Sequence, residues 1–358
     1  MKIPTPRPGR GAVSNRAGRF AREAREPVAD TWATELDALP KLSTVTHAET
    51  AKSIISHNAS PDVPFEQSIN PYRGCEHGCL YCYARPTHSY LDLSPGLDFE
   101  TRLFYKRNAV ELLEAELRRP GYVCKPITIG ANTDPYQPIE REHRLTRRLL
   151  EKMLEYRHPV SLITKGVLVE RDLDLLSELA GLNLVSVFIS VTSLDDELKR
   201  RLEPRAASAA ARLRAIERLS GAGIPVGALV APVIPALTDH ELEAILERIA
   251  EAGASSASYI LLRLPHEVAD LFAEWLEAHY PDRARHVMSL VRQSRGGKDY
   301  DSAWGTRMRG TGQFADLIEM RFRLACGRLG LNRRGNEGLR TDLFAAPARP
   351  GDQLELIS

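Results

Sequence analysis

No apolar run in this sequence approaches the ~18 consecutive residues that crossing a bilayer requires. The most apolar stretch, IPVGALVAPVIPAL at 224–237, is short and interrupted by three prolines. The N-terminus has no apolar core region, so a secretory signal is not expected. Cysteine is scarce, with five in 358 residues. A reducing cytoplasm is the expected compartment, and there clustered cysteines point to metal or redox chemistry rather than disulfides. Charge of one sign is also missing: the net charge is +1, so the whole molecule exerts no strong pull on polyanions. The imbalance is local. The first 22 residues carry six Lys/Arg and no acid, and residues 283–309 carry seven Lys/Arg against two Asp. Basic segments with interspersed aromatics can track phosphates, which makes nucleic acid a candidate substrate; an ordinary solvated surface is the competing reading.

What is present begins with a rhythm. Residues 1–60 read as a basic, Pro/Gly/Arg-rich extension without sustained apolar periodicity. From SINPYRG (68–74) onward, short β-branched runs alternate with amphipathic ones. PITIG, PVSLITKG, NLVSVFISVTS, IPVGALVAPVIP and ASYILLRLP read as strands. Helices are expected between and after them, with Asn108 capping the first and Thr238–Glu241 forming a capping box. Six strand–helix units in strict alternation imply a parallel sheet with helical crossovers. Six are too few for a closed eight-fold barrel, which leaves an open partial barrel or a doubly wound sheet. The expected core is 61–282. Residues 283–358 form a C-terminal extension in which RFRLACGRLGL looks helical. In either fold, function collects at the C-terminal ends of the strands.

Three of the five cysteines, Cys75, Cys79 and Cys82, fall inside NPYRGCEHGCLYCYARPTHSY (70–90), directly after the first strand. Soft thiolates suit iron, and a Cys-x3-Cys-x2-Cys loop can reach three corners of an iron–sulfur cubane. A full cubane takes four cysteines. Cys124 and Cys326 stand apart from the loop and are expected as small buried residues. The economical inference is a three-cysteine site with one iron left open, and an open position marks catalysis rather than structure. Zinc is the rival metal, with His77 or His88 completing a Cys3His set.

The triplet, with Tyr81 just before its last cysteine, resembles the radical S-adenosylmethionine (SAM) signature. Its place after the first strand of a six-unit series is similar to that superfamily's partial barrel. The resemblance covers roughly residues 65–280. Within it, SPDVPFEQSINPYRGCEHGCLYCYARPTHSY, TDPYQPIE and EPRAASAAARLRAIERLSGAGIPV resemble the branch labelled DNA repair photolyases, which contains or neighbours spore photoproduct lyase.

The resemblance implies a partial (β/α)6 barrel and a [4Fe–4S] cluster held by Cys75, Cys79 and Cys82. Its open iron would chelate SAM, and reductive cleavage would give a 5′-deoxyadenosyl radical that abstracts hydrogen. A low-potential electron donor such as flavodoxin or ferredoxin is implied as partner, and a lyase-like reaction. SAM contacts are expected at strand ends. Asn132, Thr133 and Asp134 would meet the amino group, and Ser190 and Thr192 the ribose. Lys165 would meet the SAM carboxylate or a substrate phosphate, Val233 and Ile234 the adenine, and Arg205 either ligand. Tyr81 and Tyr83 would pack around the cluster. Each also has an ordinary structural reading, as turn former, backbone partner or solvated side chain. Spore photoproduct lyase carries a hydrogen-donating cysteine where this chain has Ala131, so the resemblance stops short of thymine-dimer repair. The alternative of another class is an iron–sulfur or zinc protein that binds RNA or a partner without radical chemistry.

Overall fold

The computed structural model describes residues 6–21, 42–333 and 338–348. Strands β1 (Val45–Glu49), β2 (Ile55–His57), β3 (Gln67–Ile69) and β4 (Tyr72–Arg73) come first. They are followed by α1 (Asp98–Thr101), β5 (Arg102–Lys106), α2 (Ala109–Leu117), β6 (Ile127–Ile129), α3 (Glu140–His143) and α4 (Leu145–Glu155). Next come β7 (Val160–Thr164), α5 (Leu173–Gly181), β8 (Val185–Ser190), α6 (Asp196–Leu202), α7 (Ala209–Gly221), β9 (Val226–Val233) and α8 (Leu242–Glu251). The last elements are β10 (Ser256–Leu261), α9 (Glu267–His279), α10 (Pro281–Gln293) and α11 (Gln313–Leu329).

The main sheet runs β10-β9-β8-β7-β6-β3-β2. It is parallel from β3 to β10, with β2 antiparallel on β3. Helices cover the crossovers, so strand residues such as Ile127, Ile129, Leu162 and Val187 are fully buried. The result is the expected open, partial (β/α)6 barrel. The six anticipated strands are the six parallel ones, and the resemblance chose correctly between partial barrel and doubly wound sheet.

Local details depart from expectation where tertiary partners compete for the same polar groups. Asn108 precedes α2 but does not cap it; its Oδ1 accepts from Ala51 N at 2.9 Å. Thr238 does not form a capping box; its Oγ1 accepts from Ile234 N at 2.8 Å, while Glu241 accepts from Ser193 and Leu194. A second sheet, β1-β5-β4, was not anticipated. Nor was α10, and α11 is longer than RFRLACGRLGL alone indicates.

The described part of the N-terminal extension packs into the fold. Ala12 and Val13 are buried, and Arg10 donates to Glu100 O at 2.9 Å and to Leu42 O at 2.6 Å. Arg16 pairs with Asp270 and Glu274, and Arg19 with Glu267.

Residues 300–311 bridge the open side of the barrel, where β10 and β2 leave two free edges. Leu261 N of β10 donates to Met308 O at 2.9 Å. Arg295 clamps the backbone on both sides, reaching Thr306 O and Arg307 O with one nitrogen and Leu261 O and Leu262 O with the other. At the opposite edge, Asp62 in the β2–β3 loop pairs with Arg307 and accepts from Gly305 N at 2.7 Å. Four of the seven basic residues in 283–309, namely Arg292, Arg295, Arg307 and Arg309, thus have partners within the molecule. Arg292 pairs with Asp299, and Arg309 stacks on Tyr259.

Candidate functional site

The cysteine loop follows β4 and folds on an internal carboxylate. Arg85 is fully buried. It donates to Cys79 O, Gly78 O, Pro95 O and Gly96 O, and pairs with Glu100 at 2.5 Å. Five donors in a rigid fork suit a guanidinium to hold an irregular loop from within. Glu100 also accepts from Gly11 N and Ala12 N at 2.9 and 2.8 Å, which ties the N-terminal segment to the loop. Gly78 sits at φ +68°, where a Cβ would come within 2.8 Å of Glu100. Gly11 is tighter, since a Cβ there would lie 1.9 Å from Gly78 O. Cys75 N is anchored on Phe99 O at 3.0 Å.

The three thiols line one cavity of about 230 Å³ at the C-terminal end of the barrel. The residues it brings together are Cys75, Cys79, Cys82, Tyr81, Tyr83, Ala131, Asn132, Asp134, Lys165 and Ser190, all singled out from the sequence. Five expected contacts are elsewhere. Thr133 turns inward, its Oγ1 donating to Tyr72 O at 2.8 Å. Thr192 lies behind the wall, donating to Glu203 Oε1 at 2.7 Å. Arg205 pairs with Glu76 at 2.6 Å. Val233 and Ile234 are buried in the apolar core, and Leu229, Ala231 and Pro232 form that wall instead. The remaining wall includes Phe65 from the β2–β3 loop, Arg263 just after β10, and Met308 from the bridging segment. Arg263 stands at the C-terminal end of a strand, where function is expected to collect; no local pattern marked Phe65 or Met308, because distant chain segments converge there.

Two buried carboxylates organise the polar side of the cavity. Burial alone would raise the Asp134 carboxyl. His77 at 3.2 Å, Thr164 Oγ1 at 2.6 Å and Lys165 N at 2.7 Å instead draw it down to about 2. Glu203, fully buried, is likewise brought to about 2 against its own desolvation by Arg212, Lys165 and Tyr81. Arg212 forms the ion pair with Glu203 and also donates to Ser190 O at 2.9 Å. Tyr81 OH donates to Glu203 as well, and Lys165 Nζ lies 3.8 Å from it. Glu203 and Arg212 were missed from the sequence, although both stand in the LEPRAASAAARLR stretch.

Burial, followed by Asp134 and the neighbouring thiols, pushes the Cys75 thiol well up. Burial and then Glu203 do the same for Cys79, and burial raises Cys82. Opposing this, the N–H of His77 favours the charged Cys75, and those of Ala84 and Arg85 the charged Cys82. Cys124 lies outside this cavity, on an open cleft of about 730 Å³ beside Lys125 and Pro126. Cys326 is buried in the core, as expected. His88 is also remote; its Nε2 meets Arg102 O at 2.9 Å.

Residues 69–249 match the family model of the radical SAM superfamily. The chain belongs to that superfamily. An uncharacterised protein of Mycobacterium tuberculosis is 39% identical over 233 residues, covering 64% of this chain and 68% of its own. One of Methanocaldococcus jannaschii is 29% identical over 214 residues, covering 60% and 76%. Among solved structures, spore photoproduct lyase complexed with dinucleoside spore photoproduct superposes with a TM-score of 0.58 at 17% identity, covering 80% of each chain. At that identity the likeness is one of fold. It extends well beyond the residues matched to the radical SAM family model.

Proposed function

We propose that this radical SAM protein is an enzyme whose Cys75, Cys79 and Cys82 hold a [4Fe–4S] cluster beside a SAM site. The observation that carries the reading is the convergence of those three thiols on one cavity at the C-terminal end of the barrel. Their chemistry fits the group. Among the described residues, no three His, Cys, Asp or Glu side chains gather around a single point as the ligands of one ion do. A cubane asks for something else, one thiolate for each of three irons. Of the two histidines the zinc alternative needs, His88 is remote and faces Arg102 O, while His77 lines the cavity with its Nδ1 on Asp134. The thiols are raised by burial, so metal binding must release their protons.

Held by Cys75, Cys79 and Cys82, such a cluster would supply the electron for reductive cleavage of SAM and so the means of hydrogen abstraction from a substrate. The protein's own residues orient and shield. Lys165, 3.8 Å from Glu203, is the cation at the β7 end placed to meet the methionyl carboxylate of SAM. Ser190 at the end of β8 and Asn132 after β6 offer hydroxyl and amide groups. Asp134 has both oxygens engaged by protein donors, so it shapes the wall through His77 and the β7 terminus. Apolar walls from Leu229, Ala231, Pro232 and Met308 keep water from the reacting centre. SAM binding finds support in a structure of spore photoproduct lyase with bound AdoMet and dinucleoside spore photoproduct. A low-potential donor such as flavodoxin or ferredoxin would reduce the cluster. No described helix is long and apolar enough to cross a membrane. Thymine-dimer repair is not part of the reading, because Ala131 lines the cavity without a thiol. In the basic flanks Arg16, Arg19, Arg292 and Arg307 pair with the protein's own acids, so those residues by themselves do not carry a nucleic-acid substrate.

The test is anaerobic. The protein is reconstituted with iron and sulfide, reduced and given SAM, and 5′-deoxyadenosine is measured by mass spectrometry. Wild type is expected to form it and Cys79→Ala to form none. Iron-loaded, reduced wild type that forms none would overturn the reading in favour of a structural cluster.

A further inference from the structure

The charged groups on the cavity wall are partnered, with one exception. Asp134 holds His77, and Lys165 has Glu203. Arg263, two residues beyond β10, is half-buried, and among the described residues no carboxylate lies within ion-pair distance of it. Its Nη1 points at the thioether of Met308 and its Nη2 at the hydroxyl of Tyr300, both at 3.2 Å. Its buried Nε has no hydrogen-bond partner. A thioether is a weak acceptor, so most of the five donors of this guanidinium are unmet. The rings of Tyr83 and Tyr300 lie 5.4 and 5.8 Å from it.

The surroundings add positive charge. Arg295 lies close enough for the two guanidinia to repel, and its own donors are turned to backbone carbonyls. The acid that senses Arg263 is Asp62, which is already taken by Gly305 N and Arg307. The cations that act on the cluster thiols are Lys165, Arg212 and Arg85. Arg263 therefore marks a separate position, where β10 meets the bridging segment. A cation oriented by two aromatic rings and left without an anion in a cavity is a vacant half of a charge-assisted pair.

We propose that Arg263 anchors an oxyanion group, a carboxylate or a phosphate, on the substrate that enters this cavity, framed by Tyr83, Tyr300 and Met308. The anchoring stands on geometry alone; that the anchored molecule undergoes hydrogen abstraction rests on the radical SAM reading above.

The test uses the full-length, cluster-reconstituted protein under anaerobic conditions. Inorganic phosphate and acetate are titrated separately by isothermal titration calorimetry, with and without saturating SAM. Saturable binding of at least one anion is expected, weakened about tenfold or more in Arg263→Met and largely retained in Arg263→Lys, which keeps the charge. Which anion binds tells a phosphate-bearing from a carboxylate-bearing substrate. The inference is overturned if neither anion saturates, or if wild type and Arg263→Met bind alike. It is also overturned if SAM displaces the anion, because the guanidinium then belongs to the SAM carboxylate. Failure of 5′-deoxyadenosine formation with anion binding intact would sink the reaction and leave the anchor standing.

Discussion

At the scale of single residues, Glu203 governs the charge beside the cysteine loop. It is a fully buried carboxylate kept ionised by Arg212, and it acts directly on Cys79. Glu203→Gln removes one negative charge and leaves Arg212 and Lys165 uncompensated. An added electron is then better stabilised, so the reduction potential of the reconstituted cluster is expected to rise, read by anaerobic redox titration monitored by EPR. A potential unchanged from wild type would show that Glu203 only supports the fold. Breaking the buried pair should also cost ~3–5 kcal/mol of stability, so the potential is measured at low temperature on folded protein. The sequence exposed the cysteines because three thiols at short spacing are rare. It could not expose Glu203, because a carboxylate becomes notable only once burial strips it of water. The same applies to Val233 and Ile234, which stand at a strand end as an adenine contact would yet turn into the core.

At the scale of elements, the cysteine loop depends on a segment that sequence patterning treats as featureless. PTPRPGRG shows no period, but Gly11 packs on Gly78 O with no room for a methyl group. Gly11→Ala must push the N-terminal segment off the loop, breaking the bonds from Gly11 N and Ala12 N to Glu100. Iron content per chain after reconstitution is expected to fall several-fold while the far-UV circular dichroism stays near that of wild type. Full iron loading in this variant would show that the loop holds its shape without the buttress. The βα rhythm was legible because covered parallel strands are apolar along their length and their helices have one apolar face. The second sheet was not, since strands such as Tyr72–Arg73 are too short to carry a period.

At the scale of the whole molecule, burial fixes how the fold responds to acid. His158 is fully buried, with Nε2 facing Tyr122 OH at 2.8 Å and Nδ1 on Pro159 O at 3.0 Å. Burial lowers its folded pKa to about 4 from 6.5. The unfolded chain therefore binds the proton first. Stability is complete above pH 6.5 and is lost as pH falls toward about 4. His158→Phe should shrink the gap between urea midpoints at about pH 7.5 and about pH 5; an equal gap would place the acid sensitivity elsewhere, for example at His88, which burial also lowers to about 4. The bridge over the open side of the barrel also bears on the order of synthesis. Cavity wall residues span Val63 to Met308, and chains emerge from the ribosome N-terminus first. The cysteine loop is thus outside the ribosome long before Met308 can seal the side of the barrel. For most of translation the thiols face an unroofed half-barrel, and loading them with iron and sulfide would have a window that shuts when residues 300–311 arrive.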